Sequence, residues 1–171
     1  MSSITPSERK NEMTMSAGDI MTRHVVFARP GDTVAVIAKQ LSGHGISAVP
    51  VCDEHDIVIG IVSEGDLMRQ FGESNELKRS WWLDLLAEGS TLAPAFLDYI
   101  KLNRQSARDV MVSPVITALE TTSVILIADI LSRHHIKRVP IMRGNIMVGI
   151  VSRADVVRAL VQMPEEDLVG R

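Results

Sequence analysis

The sequence predicts an α/β (α+β) protein: two pseudosymmetric β-α-β-β-α repeats packed as one module, with a helical insert between them. Three observations carry that prediction. First, the chain repeats itself. Ala17-Gly-Asp-Ile-Met21 returns as Ala107-Arg-Asp-Val-Met111, and the same offset takes Ile37-Ala38 to Ile127-Ala128 and Val49-Pro50 to Val139-Pro140. One residue is then lost, and Gly60-Ile-Val-Ser63 returns as Gly149-Ile-Val-Ser152. Copies this short are half-units that bury their apolar faces by packing on each other. Second, β-branched runs alternate with helical periodicity inside each copy. Third, 46% of the 171 residues are hydrophobic and 23% charged, a globular composition that excludes a disordered or fibrous chain. Five of the six aromatic residues fall between Phe71 and Tyr99, so the repeats need aliphatic cores.

Residues 1–16 read as a flexible tail, with charges but no apolar stretch of the kind a secretory signal needs. In the first repeat, 17–70, Val25-Val-Phe-Ala28 reads as a short strand and Pro30-Gly31 as the turn after it. Asp32 or Thr33 caps a helix whose apolar residues Val34, Ile37, Ala38 and Leu41 recur at helical spacing, and Gly43 and Gly45 end it. Residues 48–51 and 57–62 are β-branched runs joined by a short polar turn, the pattern of a hairpin. Ser63 then opens a second helix bearing Leu67 and Met68. The second repeat, 107–160, follows the same order, and 161–171 form a C-terminal tail. The insert, 71–106, carries two apolar stripes: Leu77, Trp81 and Leu85, then Phe96, Leu97 and Ile100. Two amphipathic helices are expected there. They either cap the core or form an oligomer surface centred on Trp81 and Trp82.

A net charge of −3 excludes a general nucleic-acid binder, which carries a basic stripe. Cys52 is the single cysteine, so no internal disulfide and no multi-cysteine metal motif exist, and a reducing cytoplasm is expected. No run reaches the 18 apolar residues of a membrane span.

The most informative constellation is Ser-x-x-Asp, present as Ser63-Glu-Gly-Asp66 and Ser152-Arg-Ala-Asp155. Each follows a Gly-Ile-Val strand and opens a helix. The spacing is close to a helix capping box, although such boxes favour the longer Glu or Gln at the fourth position. Capping is the commoner use of the spacing, but it also suits a nucleotide: a helix N-terminus and a hydroxyl for phosphate, and a carboxylate for vicinal ribose hydroxyls. Spacing alone leaves both readings open. Adjacent His134 and His135, with His44 aligned to His134, read as helix-end residues because no neighbouring carboxylate or thiol completes a metal set. No phosphate-binding Gly-rich loop, nucleophile elbow or zinc-protease motif occurs, so no catalytic residue and no metal is expected.

On the ordered set Asp19-Ile-Met21, Ala48-Val-Pro-Val51 and Gly60-Ile-Val-Ser-x-x-Asp66, each with its partner in the second copy, the chain resembles a tandem CBS-domain pair, named for cystathionine β-synthase. The insert, with Arg79-Ser-Trp-Trp-Leu83, is similar to bacterial stand-alone proteins of that family. The resemblance implies two clefts for adenosine-containing ligands (AMP, ADP, ATP, NAD or S-adenosylmethionine), with Asp on the ribose and Ser near the phosphate. It also implies that the opposite repeat completes each cleft. One cleft would then draw on Ser63, Asp66, Lys137, Arg138, Val139, Met111 and Ile116. The other would draw on Ser152, Asp155, Ser47, Ala48, Val49, Met21 and Val26. Lys137 and Arg138 stand where the second set has Ser47 and Ala48, so the Asp66 cleft is expected to take the more anionic ligand.

The function expected is therefore a non-enzymatic, energy-sensing regulatory module, homodimeric, that acts on an effector protein in trans because no effector domain shares the chain. The rivals are a ligand-independent dimeric scaffold and a nucleotide-processing enzyme.

Overall fold

A computed structural model of the chain describes residues 15–73, 98 and 100–163. In chain order the elements are α1 (Ala17–Ile20), α2 (Val34–His44), β1 (Ala48–Cys52), β2 (Val58–Ser63), α3 (Glu64–Glu73), α4 (Ala107–Val110), β3 (Ala118–Leu119), α5 (Val124–Arg133), β4 (Arg138–Arg143), β5 (Ile146–Ser152) and α6 (Arg153–Gln162). They fall into two compact units. One spans Val26–Val115; the other joins the segment ending at Val25 to the chain from Ile116 onward.

The helices begin where side-chain oxygens meet orphan backbone donors. The Thr33 hydroxyl accepts the Val36 N–H at 3.4 Å, and the Ser123 hydroxyl accepts the Leu126 N–H at 3.3 Å. Thr33 is the cap of α2, because the Asp32 carboxylate is turned to the Arg29 N–H at 2.7 Å. Gly43 lies inside α2, and Gly45 ends it in the left-handed region at φ 61°. The same position after α5 is His135, at φ 53°. A side chain there costs about 1–2 kcal/mol relative to glycine. His135→Gly is thus expected to raise the melting temperature by roughly 2–8 °C in calorimetry, and a lower value would show that the imidazole makes offsetting contacts.

The two hairpins share one register. Ala48 pairs with Ser63 and Val51 with Gly60; Arg138 pairs with Ser152 and Ile141 with Gly149. Both ladders slip at the same place, after Val51 and after Ile141.

The expected strand at residues 25–28 is a correction. Only Ala28 bridges, to Val51, through the Ala28 N–H to Pro50 O and the Cys52 N–H to Ala28 O, both at 2.9 Å. Pro30 has no N–H with which to extend the ladder. In the second copy Glu120 holds that position and its N–H reaches Met142 O at 3.1 Å, so β3 forms there and runs parallel to β4.

Each unit has its own aliphatic core. Val34, Ile37, Leu41, Val49, Val51, Val62 and Leu67 pack in one; Val124, Ile127, Leu131, Val139, Ile141, Val151 and Val156 pack in the other. The one-turn helices join these cores in exchanged fashion. Ala107 and Val110, at the start of the second repeat, are buried with the first set, while Ala17 and Met21, at the start of the first, are buried with the second. Backbone pairing follows suit: Val112 exchanges hydrogen bonds with Ile61 at 2.9 and 3.1 Å, and Thr22 with Ile150 at 2.9 and 3.0 Å. Most of the tail and the insert, including Trp81, Trp82 and both stripes save Ile100, lies outside the described residues. Ile100 is buried in the core of the Val26–Val115 unit.

Candidate functional site

Strand β2 delivers Ser63 to the first turn of α3, and β5 delivers Ser152 to the first turn of α6. At the first junction Asp66 Oδ2 accepts the Ser63 N–H at 2.9 Å and the Ser63 hydroxyl at 2.6 Å, while the Asp66 N–H reaches Ser63 Oγ at 3.3 Å. At the second, Asp155 Oδ2 accepts the Ser152 N–H at 2.8 Å and its hydroxyl at 2.6 Å, and the Asp155 N–H reaches Ser152 Oγ at 3.4 Å. Both are therefore closed capping boxes. The shorter Asp suffices because the serine hydroxyl itself donates to it.

The box occurs twice more among the described residues. Asp19 Oδ2 takes the Ser16 N–H and hydroxyl at 2.8 and 2.7 Å, and Asp109 Oδ2 takes those of Ser106 at the same distances. Capping is thus the general use of this spacing here, and spacing cannot mark a ligand site. Two features separate the strand-end boxes from the other pair. The Asp66 side chain is 7% exposed and that of Asp155 12%, whereas Asp19 and Asp109 lie in exposed boxes. Each also carries an arginine one helical turn on: Arg69 Nη2 donates to Asp66 Oδ1 at 3.0 Å, and Arg158 Nη2 donates to Asp155 Oδ1. These arginines escape a reading based on the Ser-x-x-Asp spacing. Their signal is the repeated Asp-x-x-Arg, which puts both charges on one helix face.

The exposed boxes titrate. Hydrogen bonds from the Ser16 hydroxyl and N–H hold the Asp19 carboxyl below its ordinary value, and those from the Ser106 N–H and hydroxyl do so for Asp109. Both contribute stability that is complete above about pH 4 and lost as pH falls through their lower folded values. A Ser16→Ala, Ser106→Ala variant is expected to melt at a lower temperature than wild type at pH 7. The gap should close below about pH 4 in a pH series of melts.

Three of the four orphan N–H groups at each helix start are engaged within the protein. Besides the box donors, the Glu64 N–H reaches Ser47 O and the Arg153 N–H reaches Lys137 O, each at 3.0 Å. The fourth belongs to Gly65 or Ala154. An anion at either helix would therefore draw chiefly on side-chain cations.

The expected site residues divide between the units. Ser63, Asp66, Ser47, Ala48, Val49, Val26 and Met111 belong to Val26–Val115; Ser152, Asp155, Lys137, Arg138, Val139, Met21 and Ile116 belong to the other unit. Strand pairing sets Ala48 across from Ser63 and Arg138 across from Ser152. Val49 and Val139 are fully buried. Lys137 is exposed and Arg138 half-buried. Arg153 Nε donates to Ile136 O at 2.9 Å. Cys52 is buried, and burial pushes its thiol pKa up, the opposite of an activated nucleophile. Among the described residues no cluster of His, Cys, Asp and Glu could hold a metal ion, and no helix is long and apolar enough to cross a membrane.

The CBS-domain family model matches residues 17–73 and again 107–162. The chain belongs to the CBS-domain family. As a CBS-domain pair it is 32% identical to the CBS domain of a CBS-domain-containing membrane protein from Sphaerobacter thermophilus, covering 88% of this chain and 90% of that one, with a TM-score of 0.63. It shares its fold with the CBS-domain pair of MJ0100, solved with 5-methylthioadenosine and S-adenosyl-L-methionine (23% identity, 86% and 97% of the chains, TM-score 0.62). CBSX2, solved with AMP, has the same fold (23% identity, 86% and 96% of the chains, TM-score 0.63).

Proposed function

We propose that this CBS-domain chain is a non-enzymatic sensor that binds adenosine-containing ligands at two sites and regulates a partner protein in trans, as a cytoplasmic homodimer. The observation that carries the reading is the pair of nearly buried carboxylates, Asp66 and Asp155, at equivalent strand-to-helix junctions. A carboxylate held at such a junction can accept both hydroxyls of a ribose, as acidic residues do in dinucleotide sites. That MJ0100 holds 5-methylthioadenosine and S-adenosyl-L-methionine, and CBSX2 AMP, supports the ligand class. Ser63 and Ser152 lie next to the phosphate or its equivalent.

For the phosphate cation two assignments compete. The first gives Lys137 and Arg138, with Val139, Met111 and Ile116, to the Asp66 ligand, and Ser47, Ala48, Val49, Met21 and Val26 to the Asp155 ligand. The second rests on strand register, in which Arg138 faces Ser152, and gives Arg138 to the Asp155 ligand.

A thermal-shift screen of AMP, ADP, ATP, NAD and S-adenosylmethionine on ligand-free protein tests the ligand class. Saturation to 100 Kd adds about 2.7 kcal/mol, a rise of roughly 5–10 °C for a chain of this size. Flat melting temperatures with all five would favour a ligand-independent scaffold.

A further inference from the structure

If Asp66 and Asp155 hold ribose, the premise on which this inference rests, then Arg69 and Arg158 have a specific part. An ionised carboxylate offers about four acceptor positions, two on each oxygen. Asp66 Oδ2 has both filled, by the Ser63 N–H and hydroxyl, and Oδ1 has one filled by Arg69. Asp155 repeats the count, with Ser152 on Oδ2 and Arg158 on Oδ1. One position remains on each carboxylate, and a ribose presents two vicinal hydroxyls. The box donors are fixed by the helix start, since Ser63 and Ser152 are the caps. The arginines are not fixed: their side chains are 66% and 72% exposed, so their heads can leave for water at little cost.

We propose that Arg69 and Arg158 are displaceable counter-ions that occupy the ribose-binding oxygen of Asp66 and Asp155 until a ligand with an intact 2′,3′-diol replaces them. They set the sites' preference for a full diol over a single hydroxyl. A ligand with one hydroxyl uses the open position and leaves the ion pair intact. A diol must break it.

The test is calorimetric titration of AMP and 2′-deoxyAMP into wild type and into the Arg69→Met, Arg158→Met variant. Any direct effect of the arginines on phosphate is common to the two ligands and cancels in the ratio of their affinities. An exposed ion pair is worth little, so that ratio is expected to rise about 2- to 5-fold in favour of AMP when the arginines are removed. A second measurement uses wild type alone. Salt screens the ion pair, so the AMP to 2′-deoxyAMP ratio should also rise between low and high ionic strength. Ratios that stay constant or fall in both experiments overturn the displacement proposal while leaving adenosyl binding intact. Failure of wild type to bind AMP at all would instead remove the reading beneath it.

Discussion

Gly60→Ala is expected to destabilise the Val26–Val115 unit by about 1–3 kcal/mol, and Gly149→Ala the other unit by a similar amount. A Cβ at Gly60 would lie 2.2 Å from Met111 Sδ, 2.7 Å from its Cγ and 2.9 Å from its Cβ. At Gly149 the corresponding distances to Met21 are 2.4, 2.7 and 3.0 Å. Rotating the thioether cannot relieve contacts that reach back to Cγ and Cβ, so backbone must move. The two pairs are one device used twice. The hairpin strand leaves a glycine-sized gap, and the methionine after a one-turn helix fills it. Urea denaturation of a double-mutant cycle checks this. In a Met111→Ala background Gly60→Ala should cost under about 1 kcal/mol, because the contacts to Sδ and Cγ have gone and only the 2.9 Å approach to Cβ remains. An equal cost in both backgrounds would mean that the glycine is needed for another reason.

The same pairs show what the sequence makes legible. Asp19-Ile-Met21 and Asp109-Val-Met111 stand out as a repeat, and the helices, hairpins and aliphatic cores follow from period and composition. The partner of each Met segment does not. The two repeat bodies are near copies, so local pattern gives Met21 no preference for Gly60 over Gly149; only the family resemblance, which groups Met111 with Asp66 and Met21 with Asp155, implies the exchange. The first strand falls short of its β-branched pattern because Pro30, legible as a turn residue, also lacks the N–H that would carry Ala28 beyond a single bridge. His135 goes unmarked for a different reason: the left-handed position is signalled by glycine in the first copy and by nothing in the second. At the candidate site the Ser-x-x-Asp spacing is legible, but its recurrence at Ser16 and Ser106 shows that burial and the adjacent arginine, not spacing, distinguish Asp66 and Asp155.

The second large effect is expected on binding. Asp66→Ala and Asp155→Ala should each remove one site and leave the other, and each should also cost about 1 kcal/mol of stability through loss of a cap. Arg138→Ala should weaken AMP and ATP by roughly 10- to 150-fold at one site, the worth of about 1.5–3 kcal/mol for a charge-assisted bond, and leave adenosine almost unchanged. Combining Arg138→Ala with each Asp variant assigns the cation. If the loss persists in Asp155→Ala, Arg138 serves the Asp66 ligand; if it persists in Asp66→Ala, it serves the Asp155 ligand. Equal losses for adenosine, AMP and ATP would mean that Arg138 supports the fold and not the phosphate.

The most direct test of a two-site adenosyl sensor is the stoichiometry of AMP binding by isothermal titration calorimetry on ligand-free protein. Two AMP per chain are expected in wild type, one in either single aspartate variant and none in Asp66→Ala, Asp155→Ala. Full binding by the double variant, with its fold verified by melting, would contradict a sensor built on these two carboxylates.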